Sequence, residues 1–366
     1  QNKLAPVPDE VMGLTVPWVD ENITEEIAKN NPRATREDMY GYIFADLAKA
    51  EELLKSYKRT SIAMPDLSVV YGLYAKAYLE YGEKDNTAFA KAADYARKAV
   101  AQGKYTPLTQ KQWEDPVNGF NNHTSNNSWM WALTTSRENV GNLHNYFAHS
   151  SLEAEYGYAP LSMPAVLSSF FDRISDADFR KHSWIDPDRE YAYQSCYPNA
   201  EEYIASLRDH VSIKFRPYQG DTEDYAVGNV GEVNMMRMEE MKFIIAECDA
   251  RLNNDATALV DIVKTRNAEY ACSLTGEDLL REVFFQKRVE FWGEGIVFFD
   301  YKRCPEILQI NRGYKGTNHP ELCRFNCDGL APWFNFPING YEAQDNKALT
   351  ETNNPDPSGS VTPWIE

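Results

Sequence analysis

The sequence has no long apolar run and no excess of basic charge. No stretch approaches the roughly 18 consecutive apolar residues that a membrane-spanning helix requires, and the mean hydropathy is −0.56. There are 37 basic residues against 55 acidic ones, which gives a net charge of −18. Because a negative field repels phosphate backbones and anionic lipid headgroups, this composition disfavours binding of nucleic acid or of a membrane surface.

Cysteine is scarce, with six in 366 residues, so no disulfide framework is needed to hold the fold. The sequence starts at Gln1 without an initiator Met and without the basic and apolar regions of a signal peptide. We therefore expect either that a targeting segment was removed or that the sequence begins inside a longer protein.

Signatures of catalysis are also missing. Neither a P-loop nor a G-x-G-x-x-G pattern after a strand is present, and no Ser or Cys lies in a nucleophile elbow. Acidic pairs such as Glu239 with Glu240 are more typical of solvated faces than of the two opposed carboxyls of a glycosidase. We predict that the protein is not an enzyme and has no catalytic residue and no cofactor.

One spaced set of metal-binding residue types occurs near the C-terminus. His319, Cys323 and Cys327 lie four residues apart, and zinc would need a distant fourth ligand such as Cys304. Pro320 interrupts a helix here, so the pattern favours a disulfide or free thiols, and we predict no metal site.

Aromatic residues are abundant, with 8 Trp, 22 Tyr and 17 Phe. Tyr and Trp combine a flat apolar face with a polar tip, so they suit half-exposed binding surfaces as well as protein cores. The composition leaves a Tyr-rich core and an aromatic binding surface equally open.

Helical periodicity begins after residues 1–34, a proline-containing stretch that we interpret as an irregular arm. Residues 35–105 contain three amphipathic segments, the first capped by Thr35 and the second preceded by Asp66. Small alanines, such as Ala75 and Ala92, allow the second and third helices to approach closely, as in tetratricopeptide (TPR) hairpins.

The remaining chain divides into two further regions. Residues 106–230 lose the helical period and fill with Asn, Gly, Pro and aromatics, which is typical of functional loops carried on a scaffold. Residues 231–366 contain further helices, then an extended piece at 333–338 and an irregular tail. The sequence predicts a mainly α fold, a TPR-like helical scaffold with long loop-rich insertions and a few short strands.

Four segments resemble motifs of the SusD-like (RagB/SusD) family. They are RATREDMYGYIFADLAKAEELL with the Ala- and Tyr-rich pair that follows, MMRMEEMKFIIAECDARL with LVDIVKTRNAEY, LLREVFFQKRVEFWGEGIVFFDYKRC, and FPINGYEAQDNKAL. The third is the most specific, although Gln286 and Val297 stand where the family often has Glu and Arg. By this resemblance all four regions form one SusD-like domain that lacks the family's N-terminal region.

The resemblance implies a function and a location. It implies a noncatalytic, surface-exposed lipoprotein of the outer membrane in Bacteroidetes-type bacteria, held by an N-terminal lipid that is not in this chain. Its ligand would be an oligosaccharide or polysaccharide, and its partner a SusC-like TonB-dependent transporter. A peptide-binding member on the same scaffold is the alternative, and a helical glycoside hydrolase is a third.

Candidate ligand-binding residues lie in the loop-rich region. Trp184, Tyr191 and Tyr193 follow FFDRISDADFR in a Pro- and Asp-rich loop, and Tyr156 and Tyr158 lie in a Gly- and Pro-flanked stretch. Aromatic residues in irregular sequence favour exposure, so we predict that these five stack on a ligand, with packing of Trp184 beneath its loop as the alternative.

Other charged and aromatic residues are expected to be structural. Trp129 and Trp131 alternate as in one short strand, Trp292 sits on an apolar helix, and we predict that all three are core. Arg288, Glu290, Glu294, Asp300 and Arg303 lie among apolar residues, so we expect those of them that are buried to pair with one another. Arg237, Glu240 and Glu247 on the preceding helix are expected to brace the helical bundle.

Overall fold

The computed structural model describes residues 11–82, 86–103, 105–122, 124, 126–141, 145–327 and 332–357. The chain forms two compact units. The central unit, named for its place in the sequence, comprises Glu51–Val297, and the terminal unit comprises Gln1–Ala50 together with Phe298–Glu366. The four-region division expected from sequence stays a prediction.

Most of the regular structure is α-helical. In chain order the helices are α1 Glu25–Ala28, α2 Arg36–Leu54, α3 Leu67–Tyr81, α4 Asn86–Gln102, α5 Gln110–Glu114, α6 Tyr146–Ser150, α7 Ala159–Ser162, α8 Ser168–Phe171, α9 Ala200–Ser206, α10 Tyr225–Gly228, α11 Met238–Asn253, α12 Thr257–Lys264, α13 Gly276–Glu290, α14 Val297–Arg303 and α15 Gly340–Asp345. Single turns of 3-10 helix occur at Phe179–Ser183, Tyr218–Gly220, Glu321–Cys323, Pro332–Phe334 and Lys347–Leu349.

Strands are few and short, as the sequence predicts. They are β1 Leu14–Pro17, β2 Arg33–Thr35, β3 Trp129–Leu133, β4 Val233–Arg237, β5 Ile310–Asn311 and β6 Asn326–Cys327. They pair as three antiparallel two-stranded ladders, β1 with β2, β3 with β4 and β5 with β6. The β3–β4 ladder sets Trp129 opposite Arg237, which brings the loop-rich region to the start of α11.

The central unit contains the long helices α3, α4, α11 and α13, and both ends of α3 follow from the sequence. Asp66 caps α3 by accepting hydrogen bonds from the backbone of Ser68 and Val69, and Gly82 ends it. α3 packs along α4, and α4 packs along α11. Fully buried alanines, Ala75 and Ala92 among them, let these backbones approach closely. The TPR-like hairpin expected from sequence is confirmed.

Two of the apolar clusters in the central unit join its long helices. The first, called the helical core here, joins α3, α4 and α11 and contains Val69, Ala75, Leu79, Phe89, Ala92, Ala93, Ala96, Ala99, Met130, Met236, Met241, Ile244, Ile245 and Cys248. The second joins α11, α12 and α13 through residues such as Phe243, Leu259 and Val283. Helices α11 to α13 therefore form a rigid base for the loop-rich region.

In the terminal unit, one arginine side chain connects segments that are far apart in the sequence. The Arg33 guanidinium donates to the backbone carbonyls of Leu14, Thr15 and Thr352, at 2.9, 2.7 and 2.5 Å. This side chain thus ties the β1–β2 ladder to the C-terminal segment.

Several details differ from the sequence expectations. The extended piece expected at 333–338 begins instead with the 3-10 turn Pro332–Phe334. The region 106–230 is not purely loop but carries α5 to α10, all of seven residues or fewer.

Two other features agree with the sequence. The six cysteines are free thiols, which is one of the alternatives that the sequence left open. None of the described helices is long and apolar enough to cross a membrane.

Candidate functional site

The central unit has an open cleft lined mainly by aromatic side chains. Its volume is about 580 Å³. It is lined by Asn145, Tyr146, His149, Ser150, Pro164, Phe215, Trp292 and Gly293. The volume falls within the ~300–1,000 Å³ typical of small-molecule sites, which combine apolar walls with a few polar groups. We call it the aromatic cleft.

Helix α6 supplies one wall of the aromatic cleft. Asn145 caps the helix by accepting a hydrogen bond from the Phe147 backbone, and its side-chain amide donates to the Asn229 carbonyl at 3.3 Å. This cap fixes the turn that presents Tyr146 and His149. The Tyr146 ring meets Phe215 edge-on, with 5.3 Å between centroids.

The floor is the turn that follows α13. Tyr146 Oη donates to the Gly293 carbonyl at 3.2 Å. Gly293 has a positive φ of 77°, and a Cβ there would lie 2.6 Å from the Phe215 ring, so this position requires glycine. The Trp292 ring is half-buried and meets Trp184 edge-on at 5.9 Å.

Lys214 holds the turn that forms this floor by three hydrogen bonds. Its buried Nζ donates to the Glu290 and Trp292 carbonyls at 2.8 and 3.0 Å and to Glu294 Oε1 at 2.7 Å. Burial lowers the pKa of Lys214 to about 8, against the attraction of the Glu294 carboxylate. The turn carrying Trp292 is therefore tethered through its backbone, while the indole stays available to the cleft.

Behind the floor lies a cluster of buried charges, called the ion network here. Its members are Arg180, Lys214, Arg237, Glu239, Arg266, Glu290 and Glu294, whose side chains are all at most 5% exposed. Glu290 accepts hydrogen bonds from Arg237 at 2.6 Å, from Arg266 at 2.9 and 3.1 Å, and from Arg180 at 3.1 Å.

The pKa values of Glu290 and Glu239 are lowered, which favours the ionised form of both carboxylates. Burial alone raises the pKa of Glu290, but Arg266, Arg237 and Arg180 outweigh burial and hold that pKa well below its usual value. The pKa of Glu239 is lowered in the same way, by Arg237 and Arg266 against burial. Glu290 and Glu294 are paired, as expected, but the partners are Arg180, Arg237, Arg266 and Lys214, which the sequence did not indicate. These residues support the cleft without lining it.

Tyr158 is the predicted ligand residue that lies beside the aromatic cleft. It is 43% exposed, and its ring stacks on that of His149 at 5.2 Å. His149 lines the cleft, so Tyr158 extends the aromatic surface at the rim.

The exposure expected for Trp184 is wrong. This side chain is 0% exposed and packs among Phe170, Phe171 and Phe285. The loop is not free, because Ile185 and Ile213 exchange backbone hydrogen bonds with the facing segments, including Ile213 N–H to the Ser183 carbonyl at 2.8 Å. The ring therefore packs beneath its loop, which is the alternative that the sequence left open.

Tyr191 and Tyr193 are half-buried and hydrogen-bonded within the protein. Tyr191 Oη donates to Asp176 at 2.9 Å, and its ring lies 4.3 Å from that of His182. Tyr193 Oη donates to the Trp184 carbonyl at 2.7 Å. Tyr193 also lines a small cavity of about 20 Å³, which holds little more than one water. Ligand contact by these two residues stays a prediction.

Tyr156 is also half-buried, and its Oη is enclosed without a hydrogen-bond partner among the described residues. A Cβ at Gly228 would lie 2.2 Å from that oxygen. Burial raises the pKa of Tyr156. The residue therefore packs behind the α10 turn, and its role as a ligand contact stays a prediction.

Sequence reasoning missed the residues that line the aromatic cleft, above all Tyr146 and Trp292. The core positions expected for three tryptophans are confirmed for Trp129, which is 3% exposed, whereas Trp131 and Trp292 are half-buried. One signal was available in the sequence, because the glycines at 293 and 295 follow Trp292 closely and indicate a turn at this residue.

Comparison with known proteins finds similarity to one protein family in sequence and in fold. Residues 180–355 match the model of the SusD family. No curated protein matches the chain. Among solved structures, a SusD-like carbohydrate binding protein from Bacteroides vulgatus ATCC 8482 is 24% identical with a TM-score of 0.65, over 93% of this chain and 71% of that chain.

Other solved structures give the same result. A SusD superfamily protein from Bacteroides thetaiotaomicron VPI-5482 is 19% identical with a TM-score of 0.66, over 93% of this chain and 71% of that chain. One from Parabacteroides distasonis ATCC 8503 is 16% identical with a TM-score of 0.64, over 91% and 72%. These matches confirm the resemblance to the SusD-like family and the mainly helical, TPR-like fold.

Proposed function

From its SusD-like fold and the SusD family match over residues 180–355, we propose that this protein binds carbohydrate without transforming it. The observation that carries the proposal is the aromatic cleft. Aromatic faces suit the apolar C–H faces of sugar rings, and Trp292, Tyr146 and the rim residue Tyr158 supply such faces. Asn145 and Ser150 add groups that bind hydroxyls.

The lining of the cleft supports binding rather than hydrolysis. Glycoside hydrolysis needs two carboxyl groups about 5–9 Å apart across the scissile bond. Among the described residues, no Asp or Glu lines the aromatic cleft. The nearby carboxylates Glu290 and Glu294 are committed to arginines and to Lys214.

The proposal extends to the place and partner of the protein. The family resemblance supports a surface-exposed lipoprotein of the outer membrane that delivers its glycan to a SusC-like TonB-dependent transporter. Co-purification of the native protein from solubilised outer membranes is expected to recover that transporter. Recovery of the protein alone at low salt would contradict a stable complex.

The binding function is tested by matched tyrosine variants. The probes are maltoheptaose, cellohexaose, xylohexaose and mannohexaose, titrated by calorimetry. Replacing Tyr158 by Ala removes the rim ring and is expected to weaken binding of the best probe about tenfold, or ~1.4 kcal/mol. Tyr225→Ala removes a ring of similar exposure, 39% against 43%, that lies outside the cleft, and is expected to leave affinity unchanged.

Two outcomes would overturn the proposal. Absence of binding to any oligosaccharide, with peptides bound instead, would favour a peptide-binding protein on the same scaffold. Release of new reducing ends from a bound probe would show hydrolysis.

A further inference from the structure

A second cavity, of about 300 Å³, lies in the central unit and shares no lining residue with the aromatic cleft. Three segments form it, namely helix α13, the turn after α12, and residues 173–178, which follow α8. They contribute polar residues, namely Glu282 and Gln286, then Asn267 and Tyr270, then Arg173, Ser175 and Asp178, whose carboxylate pairs with Arg180. The volume lies at the lower end of the range typical of small-molecule sites.

One wall of this cavity is fixed by internal hydrogen bonds. Glu282 Oε1 accepts from Tyr270 Oη at 2.9 Å and from Gln286 Nε2 at 2.8 Å. Gln286 Oε1 in turn accepts from Arg180 Nη2 at 2.5 Å, which connects the wall to the ion network. Glu282 is therefore held in place by two neutral donors.

Three groups in the lining remain without a polar partner among the described residues. The second Glu282 oxygen accepts no hydrogen bond, and Glu282 forms no ion pair. Asn267 is 6% exposed and its Oδ1 accepts from the Glu269 backbone at 3.0 Å, whereas its amide nitrogen donates to no protein atom. Arg173 is exposed at the mouth of the cavity, where its guanidinium lies 4.2 Å over the Phe285 ring and pairs with no carboxylate of the described residues.

These groups define the chemistry of a ligand. An unpaired carboxylate disfavours an anion, and the arginine disfavours a simple cation. Among the described residues, no cluster of His, Cys, Asp and Glu is arranged to hold a metal ion. A neutral molecule that carries adjacent donors and acceptors satisfies all three groups together, and vicinal sugar hydroxyls have this character.

We propose that this cavity binds a single neutral sugar residue. Glu282 accepts hydrogen bonds from its hydroxyls, and Asn267 and Arg173 donate hydrogen bonds to its oxygens. The proposal goes beyond the aromatic cleft, with which it shares only the class of ligand, so either site can be tested without the other.

The test measures binding of D-glucose, D-galactose, D-mannose and D-xylose at millimolar concentration by saturation-transfer NMR and calorimetry. Glu282→Gln keeps an oxygen for Tyr270 and Gln286 but turns the free acceptor into a donor. We expect at least a tenfold loss of affinity for the best-bound sugar. Glu277→Gln, an exposed substitution on the same helix, is the matched control and is expected to bind as the unmodified protein does.

A second variant keeps the test decisive if Glu282→Gln lowers the melting temperature. Asn267→Asp retains the oxygen that accepts from Glu269 and removes only the free amide donor, and the same loss of affinity is expected.

Tyr158→Ala separates the two sites, since monosaccharide binding in the cavity is expected to survive it. The proposal is overturned if no monosaccharide binds, if both cavity variants bind normally, if Tyr158→Ala abolishes monosaccharide binding, or if glycine binds in place of every sugar.

Discussion

The helical core and the ion network are equally buried but are held together by different forces. The helical core consists of apolar side chains, many of them alanines, from three helices that pack closely. The ion network consists of full charges contributed by 3-10 helix 179–183, β4, α11, α13 and the segments that follow α9, α12 and α13. The helical core is stabilised by the apolar surface that it buries and by its close packing. The ion network is stable only if every buried charge has a partner of opposite charge.

This difference determines how each region responds to substitution. An apolar core contains no charge pair that a substitution could break, but it does not tolerate a change of side-chain volume, because its packing is dense. A buried charge cluster tolerates neither the loss of a partner nor the entry of water, because each remaining charge then keeps its desolvation cost. The aromatic cleft rests on the second kind of region, since Lys214 and Glu294 connect the network to the Trp292 turn.

The largest expected effect is at the centre of the network. Glu290→Gln removes the charge that three arginines share, and breaking a buried pair of this kind costs about 3–5 kcal/mol of unfolding free energy. Urea denaturation at pH 7 measures it. A loss below about 1 kcal/mol would contradict the account, as would an equal loss in the exposed variant Glu277→Gln.

The effect of Glu290→Gln on the free energy of unfolding is also expected to depend on pH. The pKa of Glu290 is depressed in the folded protein, so its stabilisation is fully present above its unfolded pKa and is lost as the pH falls through the folded value. The difference between the unmodified protein and Glu290→Gln is therefore expected to shrink at strongly acidic pH. A constant difference would mean that the charge is not its origin.

A smaller effect is expected in the helical core. Ala92 is 0% exposed, so Ala92→Leu overpacks the hairpin, which typically costs about 1–3 kcal/mol. The loss is expected to be independent of pH between 4 and 7, and glycan affinity is expected to be unchanged. A neutral or stabilising result in urea denaturation would show that the helices do not pack tightly at this alanine.

The two regions also differ in how far the sequence predicts them. The helix caps at Thr35 and Asp66 and the buried alanines of α3 and α4 follow from neighbours in sequence, and the structure confirms them. That a buried Glu290 must be paired could be inferred from its apolar surroundings. Its partners could not, because Arg180 lies 110 residues from Glu290, and only the tertiary fold brings them together.

The candidate site was harder to predict for the same reason. Irregular sequence around Trp184 indicated exposure, but backbone pairing with residues 210–213 buries the ring. Conversely, Trp292 follows an apolar helix and was expected in the core, yet the turn at Gly293 leaves it half-exposed at a cleft. Local sequence reports the composition of a segment but not which distant segment covers it.

The central claim is that the aromatic cleft binds a glycan, and the most direct test is calorimetry on Trp292→Leu. Lys214 holds the backbone of residue 292, so the substitution removes the ring while the turn stays tethered. Trp131→Leu is the control, since Trp131 is also half-buried but lies on β3, outside the cleft. The account predicts at least a tenfold loss of affinity for the best-bound oligosaccharide in Trp292→Leu and none in Trp131→Leu. Equal affinity in both variants would contradict it.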